Sequence, residues 1–279
     1  IEVTISRSSK VTSILFPDSS ASAYYTIGVC SSINIVDMSS NIGMNRLWIY
    51  SCPNLETLRL PNTFYWPIGS TFQISDTSIL TLDISNGNIT NTTFNVTSNP
   101  RLTSILFPDS SFSHINVIMN DLRNVDMSRL VTLDTNRYVS LQGNRNLTSI
   151  KNPRGSLSTY SVRDCSLSGA LDVSGFSSIT GTFDIGNNYG ITSILLPDIS
   201  FGNLSKFMAD GCSLNVQTID EILRRLNIRV LETLPPYDLS LYLNGGSNAS
   251  PTGGSANTDL LNLIDRFAMA SKVLDYKIN

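Results

Sequence analysis

Apolar residues recur along this chain in pairs spaced i, i+2, and each pair is followed three residues later by a small polar residue or a cysteine. The pairs are Val3/Ile5, Tyr25/Ile27, Leu47/Ile49, Phe72/Ile74, Phe94/Val96, Ile115/Val117, Val139/Leu141, Tyr160/Val162, Phe183/Ile185 and Phe207/Ala209. The matching anchor positions are Ser8, Cys30, Cys52, Thr77, Asn99, Asn120, Asn144, Cys165, Asn188 and Cys212, and successive anchors lie 21 to 25 residues apart. Alternation with period two predicts a short strand with one buried face. One such strand every 22–23 residues predicts a solenoid of about ten coils, with a parallel β-sheet along one face and few helices.

A second pattern lies between these strands. "VTSILFP" from Val11, "LETLRLP" from Leu55, "LTSILFP" from Leu102, "LTSIKNP" from Leu147 and "ITSILLP" from Ile191 alternate with "NIVDMSS" from Asn34, "LTLDISN" from Leu80, "RNVDMSR" from Arg123 and "GALDVSG" from Gly169. In the proline phrase the first apolar residue and the following Ile are expected to point into the coil. The proline then breaks the segment, and its fixed φ and missing N–H suit an extended, polyproline-like run on the convex side. The Asp-Ser-Ser that follows in "SILFPDSS" is turn material. The two phrases together make a superrepeat of two coils.

A strand of this length followed by an Asn or Cys anchor resembles the leucine-rich repeat, whose pattern is L-x-x-L-x-L-x-x-N/C-x-L. "MNRLWIYSCPNL" from Met44 and "LSKFMADGCSL" from Leu204 come closest to it. The resemblance implies that Cys30, Cys52, Asn99, Asn120, Asn144, Cys165, Asn188 and Cys212 form a ladder at the inner corner of the coils, bonding backbone groups that leave the sheet. All four cysteines fall in this register, which favours buried corner thiols; a bond between Cys30 and Cys52 in neighbouring coils is geometrically possible. No His or second Cys sits at the spacing of a metal site.

The rhythm changes after Cys212, so residues 1–212 read as the solenoid and 213–279 as an α/β C-terminal cap of the same domain. "NVQTIDEILRRLNIR" has helical spacing at Val216, Ile219, Ile222, Leu223 and Leu226. A strand from Leu239, a Gly/Ser/Asn-rich loop, a helix at about 257–269 and a last strand in "KVLDYKIN" are expected to cover the open coil. The first strand begins almost at residue 1 with no capping element before it, from which an upstream domain or a partner chain over that edge is expected. The closing run, from Ile219 to Leu223 and from Leu241 to Gly253, resembles C-terminal regions of tail and receptor-binding proteins from phages of Bacteroidota and related bacterial surface proteins. It departs from them where an Arg-Gly-Trp is expected before the last strand. That resemblance implies an extracellular or virion-surface location.

Composition narrows the function classes. Charged residues make up 15% of the chain, against roughly 25% for an average globular domain. The net charge of −3 offers no basic footprint for nucleic acid, and no apolar run is long enough for a membrane helix. There is one histidine, His114, with no Ser or Cys that the sequence places beside it. Asp220 and Glu221 read as the solvated face of the capping helix, and "GGSNASPTGG" lacks the spacing of a phosphate loop. These features imply no enzyme, no cofactor and no metal. Six N-x-S/T sequons start at Asn88, Asn91, Asn95, Asn146, Asn203 and Asn248.

Binding is therefore expected on the concave sheet face, through residues flanking the buried pairs. These are Tyr24, Arg46, Trp48, Tyr50, Gln73, Asn95, His114, Tyr138 and Arg163, with Asn116, Ser140, Asp184 and Asp210 on the same face. Trp48, expected to be displayed, forms with Arg46, Tyr50 and Tyr24 either a hot spot or a contact with a neighbouring domain or subunit. Trp66, in the longer coil between Cys52 and Thr77, is expected on the convex side. Two roles fit: a recognition module for a cell-surface glycan or protein, or a structural or decorating solenoid that contacts neighbouring subunits.

Overall fold

The computed structural model describes residues 2–18, 23–41, 43–132, 137–197, 204–232, 235 and 237–279, with side chains described at all of these except 89, 90, 132 and 228–232. The chain is a parallel β-solenoid with two α-helices among the described residues. It divides into two units, Ile1–Leu133 with Tyr138–Pro153, and Asp134–Arg137 with Arg154–Asn279.

In the first unit the strands Glu2–Ser6, Ala23–Gly28, Met44–Cys52, Thr71–Thr77, Gly87–Thr97, Ser111–Ile118 and Tyr138–Ser140 lie side by side in chain order, all parallel. The second unit stacks Arg154–Ser161, Phe176–Asp184, Lys206–Met208, Leu239–Leu243 and Leu274–Ile278 in the same way. The predicted apolar pairs set the register: Tyr25 sits beside Leu47, then Phe72, Phe94, Ile115 and Val139. Tyr160, Phe183, Phe207 and Leu241 do the same in the second unit. These side chains are buried, and aromatic neighbours stack, with Phe72 and Phe94 centroids 5.0 Å apart and 11° from parallel. A slip of one residue would turn every pair out of the core, so register is strongly specified. Val3 and Ile5, on the edge strand, are only half-buried.

The proline and aspartate phrases form a second set of short parallel strands rather than a polyproline-like run. Ser13–Leu15, Ile35–Asp37 and Thr57–Arg59 pair with one another, as do Thr81–Asp83 with Ser104–Leu106 and Asn124–Asp126 with Ser149–Lys151. In the second unit Ser168–Asp172 pairs with Gly190–Leu195. The register explains why the two phrases alternate. Leu15 lies beside Asp37 and Asp37 beside Arg59, which places Ser39 level with Pro17 and Pro61. At this level the chain leaves the short sheet. Proline has no N–H to satisfy there, while in the other coils the Ser N–H bonds the aspartate two residues back: Ser39 to Asp37 (3.0 Å), Ser85 to Asp83 (2.9 Å), Ser128 to Asp126 (3.0 Å) and Ser174 to Asp172 (2.9 Å). Both phrases dispose of the same orphan donor.

The anchors form the expected ladder. In the first unit Asn99 Oδ1 accepts from the Thr77 N–H (3.1 Å), Asn120 Oδ1 from the Asn99 N–H (3.0 Å) and Asn144 Oδ1 from the Asn120 N–H (3.1 Å). Each Nδ2 then donates to a carbonyl in the preceding coil and to one in its own: Asn120, for example, to Val96 (2.9 Å) and Ile118 (3.1 Å). Asn188 repeats this in the second unit with Leu167, Val162 and Ile185. The four cysteines are buried free thiols, and Cys30 Sγ lies 3.2 Å from the Gly28 carbonyl, Cys52 Sγ 3.4 Å from that of Tyr50. Burial pushes the Cys52 thiol up to about 11 and the Cys212 thiol up to about 12.

The residue just before every anchor has a left-handed backbone: Arg7, Val29, Ser51, Asp76, Ser98, Met119, Gly143, Asp164, Asn187 and Gly211, with φ from 52° to 75°. This corner reverses the chain so that the anchor side chain points inward. Seven of the ten are Gly, Asn, Asp or Ser, types that tolerate or favour such turns. At Gly211 a Cβ would also stand 2.7 Å from Asn187 Oδ1 in the previous corner.

The region after Cys212 extends the second unit's sheet by two strands, the last of which, Leu274–Ile278, is largely exposed. Helix α1 (Val216–Glu232) starts at Asn215, whose side chain caps the Thr218 N–H at 2.9 Å, and it buries Ile219, Ile222, Leu223 and Leu226. Helix α2 (Thr258–Met269) is capped by Asn257. Each helix stands where earlier coils place a short outer strand, and the strands after them stay parallel in register. Asn248 is a further anchor: its Oδ1 accepts from the Leu214 N–H (2.8 Å) and its Nδ2 donates to Ala209 and Leu243. Asp220, half-buried on the outer side of α1, accepts from the N–H and hydroxyl of Thr252 in exposed bonds that fasten the glycine-rich loop to the helix. Glu221 pairs with Arg224 and Arg225.

Two outcomes follow from the ladder. Asn120→Ala strands the Asn99 N–H and two carbonyls inside the protein, and urea denaturation is expected to show a loss of about 3 kcal/mol; a loss below about 0.5 kcal/mol would contradict the ladder's role. The native protein should show no thiol reactive toward a disulfide reagent near neutral pH, whereas denaturation should release all four cysteines. Because the raised thiol pKa values penalise only the ionised form, this contribution is intact below the ordinary thiol range and is lost as pH climbs through it toward about 11 and 12.

Candidate functional site

Side chains between and beside the buried pairs emerge on the outward face of the sheet. In the first unit the register sorts them into rows that run from strand to strand. One row holds Glu2, Tyr24, Arg46, Thr71, Thr93, His114 and Tyr138. The next holds Thr4, Thr26, Trp48, Gln73, Asn95, Asn116 and Ser140, and a third holds Gly28, Tyr50 and Ser75. All the sequence-derived candidates of this unit fall in these three rows. Neighbouring strands are roughly 4.8 Å apart, so Tyr24, Arg46, Trp48 and Tyr50 form one cluster on two strands. His114 and Tyr138 form another, three strands beyond Arg46, with ring centroids 4.4 Å apart. Asn116 Nδ2 donates to Asn95 Oδ1 at 2.9 Å.

Arg46 organises the first cluster. Its guanidinium carbon lies 4.3 Å from the Trp48 ring centroid and 5.3 Å from that of Tyr24, and its Nη2 reaches Glu2 Oε1 at 3.2 Å and Thr26 Oγ1 at 3.3 Å. Such a stacked cation contributes on the order of 0.5–2 kcal/mol, more as water is excluded. Trp48 is therefore on the outward face but not fully displayed: it is half-buried beneath Arg46. Tyr50 lies over Gly28, where a Cβ would meet its Cζ at 2.2 Å; the missing side chain at Gly28 lets the phenol lie flat. Tyr24 stays 42% exposed at the rim.

A cleft of about 250 Å³ opens beside this cluster, lined by Tyr24, Asn45, Arg46 and the segment Pro67–Thr71. The segment is a turn in which the Ser70 N–H bonds the Pro67 carbonyl (3.0 Å) and Gly69 takes φ 82°, the geometry of a type II turn. It belongs to the coil with the longest spacing, Cys52 to Thr77, and the extra length also builds the strand Phe64–Trp66. Trp66 does not lie on the convex surface. It is 1% exposed and packs on Phe64 and Phe72, because its strand pairs with the start of Gly87–Thr97 and turns the indole into the coil. The long spacing of this coil is visible in the sequence, but Asn45 and the Pro67–Thr71 wall are not among the sequence-derived candidates; "PIGS" after an aromatic run is the one signal of the turn.

In the second unit Arg163 is committed internally. It bonds Asp184 Oδ1 at 3.1 Å and Asp210 through two contacts at 2.9 and 2.6 Å. The side chain crosses Gly186, where a Cβ would stand 2.3 Å from Nη1. Burial dominates at Asp184 and raises its carboxyl above the usual range, against the opposing pull of the Gly186 N–H and Arg163. Among the sequons, Asn248 is spent in the ladder, Asn146 is exposed and donates to Asp121, Asn88 is exposed, and Asn203 lies outside the described residues.

Comparison with protein-family models, curated proteins and solved structures finds no significant match to this chain.

Removing the Arg163 charge leaves two partly buried carboxylates facing each other. Arg163→Ala is expected to cost about 2–3 kcal/mol near neutral pH, less than a fully buried pair. The deficit should shrink as pH falls through the carboxylate range, since protonation then removes the uncompensated charge. Thermal unfolding of both proteins across that range checks it, and a pH-independent deficit would count against the assignment.

Proposed function

We propose that this chain is a non-enzymatic recognition module of the leucine-rich-repeat type, which binds a cell-surface glycan or protein through the outward face of its sheet. One observation carries this reading. The buried pairs stay apolar from coil to coil, while the rows above them mix charged, aromatic, hydroxyl and amide side chains and gather Tyr24, Arg46, Trp48 and Tyr50 at one place. Stacking requires nothing of those outward positions, and Trp, Tyr and Arg dominate binding hot spots. The alternating coils and the asparagine and cysteine corners support the repeat-family assignment. The closing run supports a place in a phage tail or related surface protein, hence an extracellular or virion-surface setting, with no cofactor or nucleic acid involved.

A structural or decorating role has its own observation. Among the described residues the strand Glu2–Ser6 pairs only with Ala23–Gly28, and Val3 and Ile5 are incompletely covered, an edge that a neighbouring subunit could complete.

Binding of labelled protein to candidate host cells separates the two. Trp48→Ala and Arg46→Ala should each weaken cell binding by about tenfold or more, equivalent to ~1.4 kcal/mol, with the circular dichroism spectrum unchanged. Unaltered binding in both would rule out this face.

A further inference from the structure

We propose that the last strand, Leu274–Ile278, is a self-association edge, on which a second copy of this chain pairs antiparallel across a two-fold axis at Tyr276. Such pairing needs no ligand. Among the described residues this strand pairs only with Leu239–Leu243 and ends the sheet of the second unit. The Leu239 N–H donates to the Val273 carbonyl at 3.0 Å, so by the alternation of a parallel ladder Val273, Asp275 and Lys277 turn their backbone groups to that neighbour. The N–H and carbonyl groups of Leu274, Tyr276 and Ile278 then face the open side. An edge of this kind is a template for another strand.

The inward side chains of the strand show what is missing. Tyr276 sits beside Leu241, in the same row as Phe207 and Phe183. Those three are fully buried, whereas Tyr276 is 42% exposed. Leu274 and Ile278, beside the buried Leu239 and Leu243, are only half-buried. The apolar row that earlier coils of this unit close is therefore open at its end. Helix α2, which belongs to the same coil, has a matching flank: Leu261, Ile264 and Ala268, spaced i, i+3, i+7, are exposed or half-buried next to the buried stripe of Leu260, Leu263 and Phe267.

The charge pattern selects a second copy as the occupant. In the run Leu-Asp-Tyr-Lys-Ile, a two-fold axis at Tyr276 sets Leu274 against the partner's Ile278, Tyr276 against the partner's Tyr276, and Asp275 against the partner's Lys277. The apolar pairs fall on the inward face at the hydrogen-bonded positions, and the unlike charges meet on the outward face, twice. Moving the axis by one residue sets Asp275 against the partner's Asp275, or Lys277 against the partner's Lys277. Like charges directly opposite oppose pairing. Charges on an edge strand ordinarily deter association; here they deter the neighbouring two-fold registers and favour this one. Both side chains are exposed and held in place: Asp275 accepts from the Tyr242 hydroxyl through one carboxylate oxygen, and Lys277 Nζ lies 5.1 Å from the Tyr242 ring centroid. A two-fold pair of this kind closes on itself, which gives a dimer and not a fibre.

Analytical ultracentrifugation of the full chain tests this. Five residues make a small interface, so a dissociation constant of about 10–100 µM is expected. The mass should rise with concentration from 30.5 kDa toward twice that value. Lys277→Asp and Asp275→Lys should each weaken association at least about tenfold with the circular dichroism spectrum unchanged. An equimolar mixture of these two variants should associate again, because every opposed pair is then unlike. A chain that stays monomeric throughout, single variants that associate normally, or a mixture that stays monomeric would each overturn the pairing. Growth beyond a dimer would overturn it in favour of head-to-tail stacking on the strand Glu2–Ser6.

Discussion

The corner of the coil is the constraint on which the rest depends. There the chain leaves a fully hydrogen-bonded sheet, turns through a left-handed residue and must satisfy backbone groups that face the interior. An asparagine does this with both ends of its amide, tying the N–H groups and carbonyls of consecutive coils together, as Asn99, Asn120 and Asn144 do in succession. A thiol is small and apolar enough for the same corner, but it makes weaker bonds. The strained φ at residues such as Val29 and Met119 costs energy in each coil, and the packed core and ladder around it hold it in place.

Once corner and core pairs are set, other positions are free in proportion to how little stacking asks of them. The outer limb asks only that its exit N–H be absent or bonded, which proline and Asp-x-Ser achieve by opposite means. The helices in the region after Cys212 satisfy the same limb internally. The outward face of the sheet is asked for nothing beyond compatibility with a strand. It therefore carries most of the chemical variety of the first unit, and there the longest coil raises a wall beside Tyr24 and Arg46.

Much of the fold was legible before any coordinates. The paired apolar positions, the anchors, both helices and the strands that follow them appear where period-two and period-3.6 patterns place them, because burial in a stacked solenoid is a strictly local periodic demand. The outer strands were not legible. "TSI" is too short to carry a strand signal, and its partner lies a whole coil away. Trp66 was misplaced for the same reason, since its direction depends on the pairing of Phe64–Trp66 with Gly87–Thr97. The anchor role of Asn248 was hidden by the two glycines that lengthen its corner.

Sequence by itself determined the repeat length, which residues face the core, which residue closes each corner and which positions face outward, since each of these is repeated often enough along the chain to be read as a period. Tertiary structure alone decided which outward residues meet, that Arg163 is spent on Asp184 and Asp210 while Arg46 lies between Tyr24 and Trp48, and that a bulge at Asn45 and a turn at Pro67–Ser70 enclose a cleft. Those arrangements occur once each. They arise from contacts between residues one or two coils apart, for which a periodic pattern carries no information.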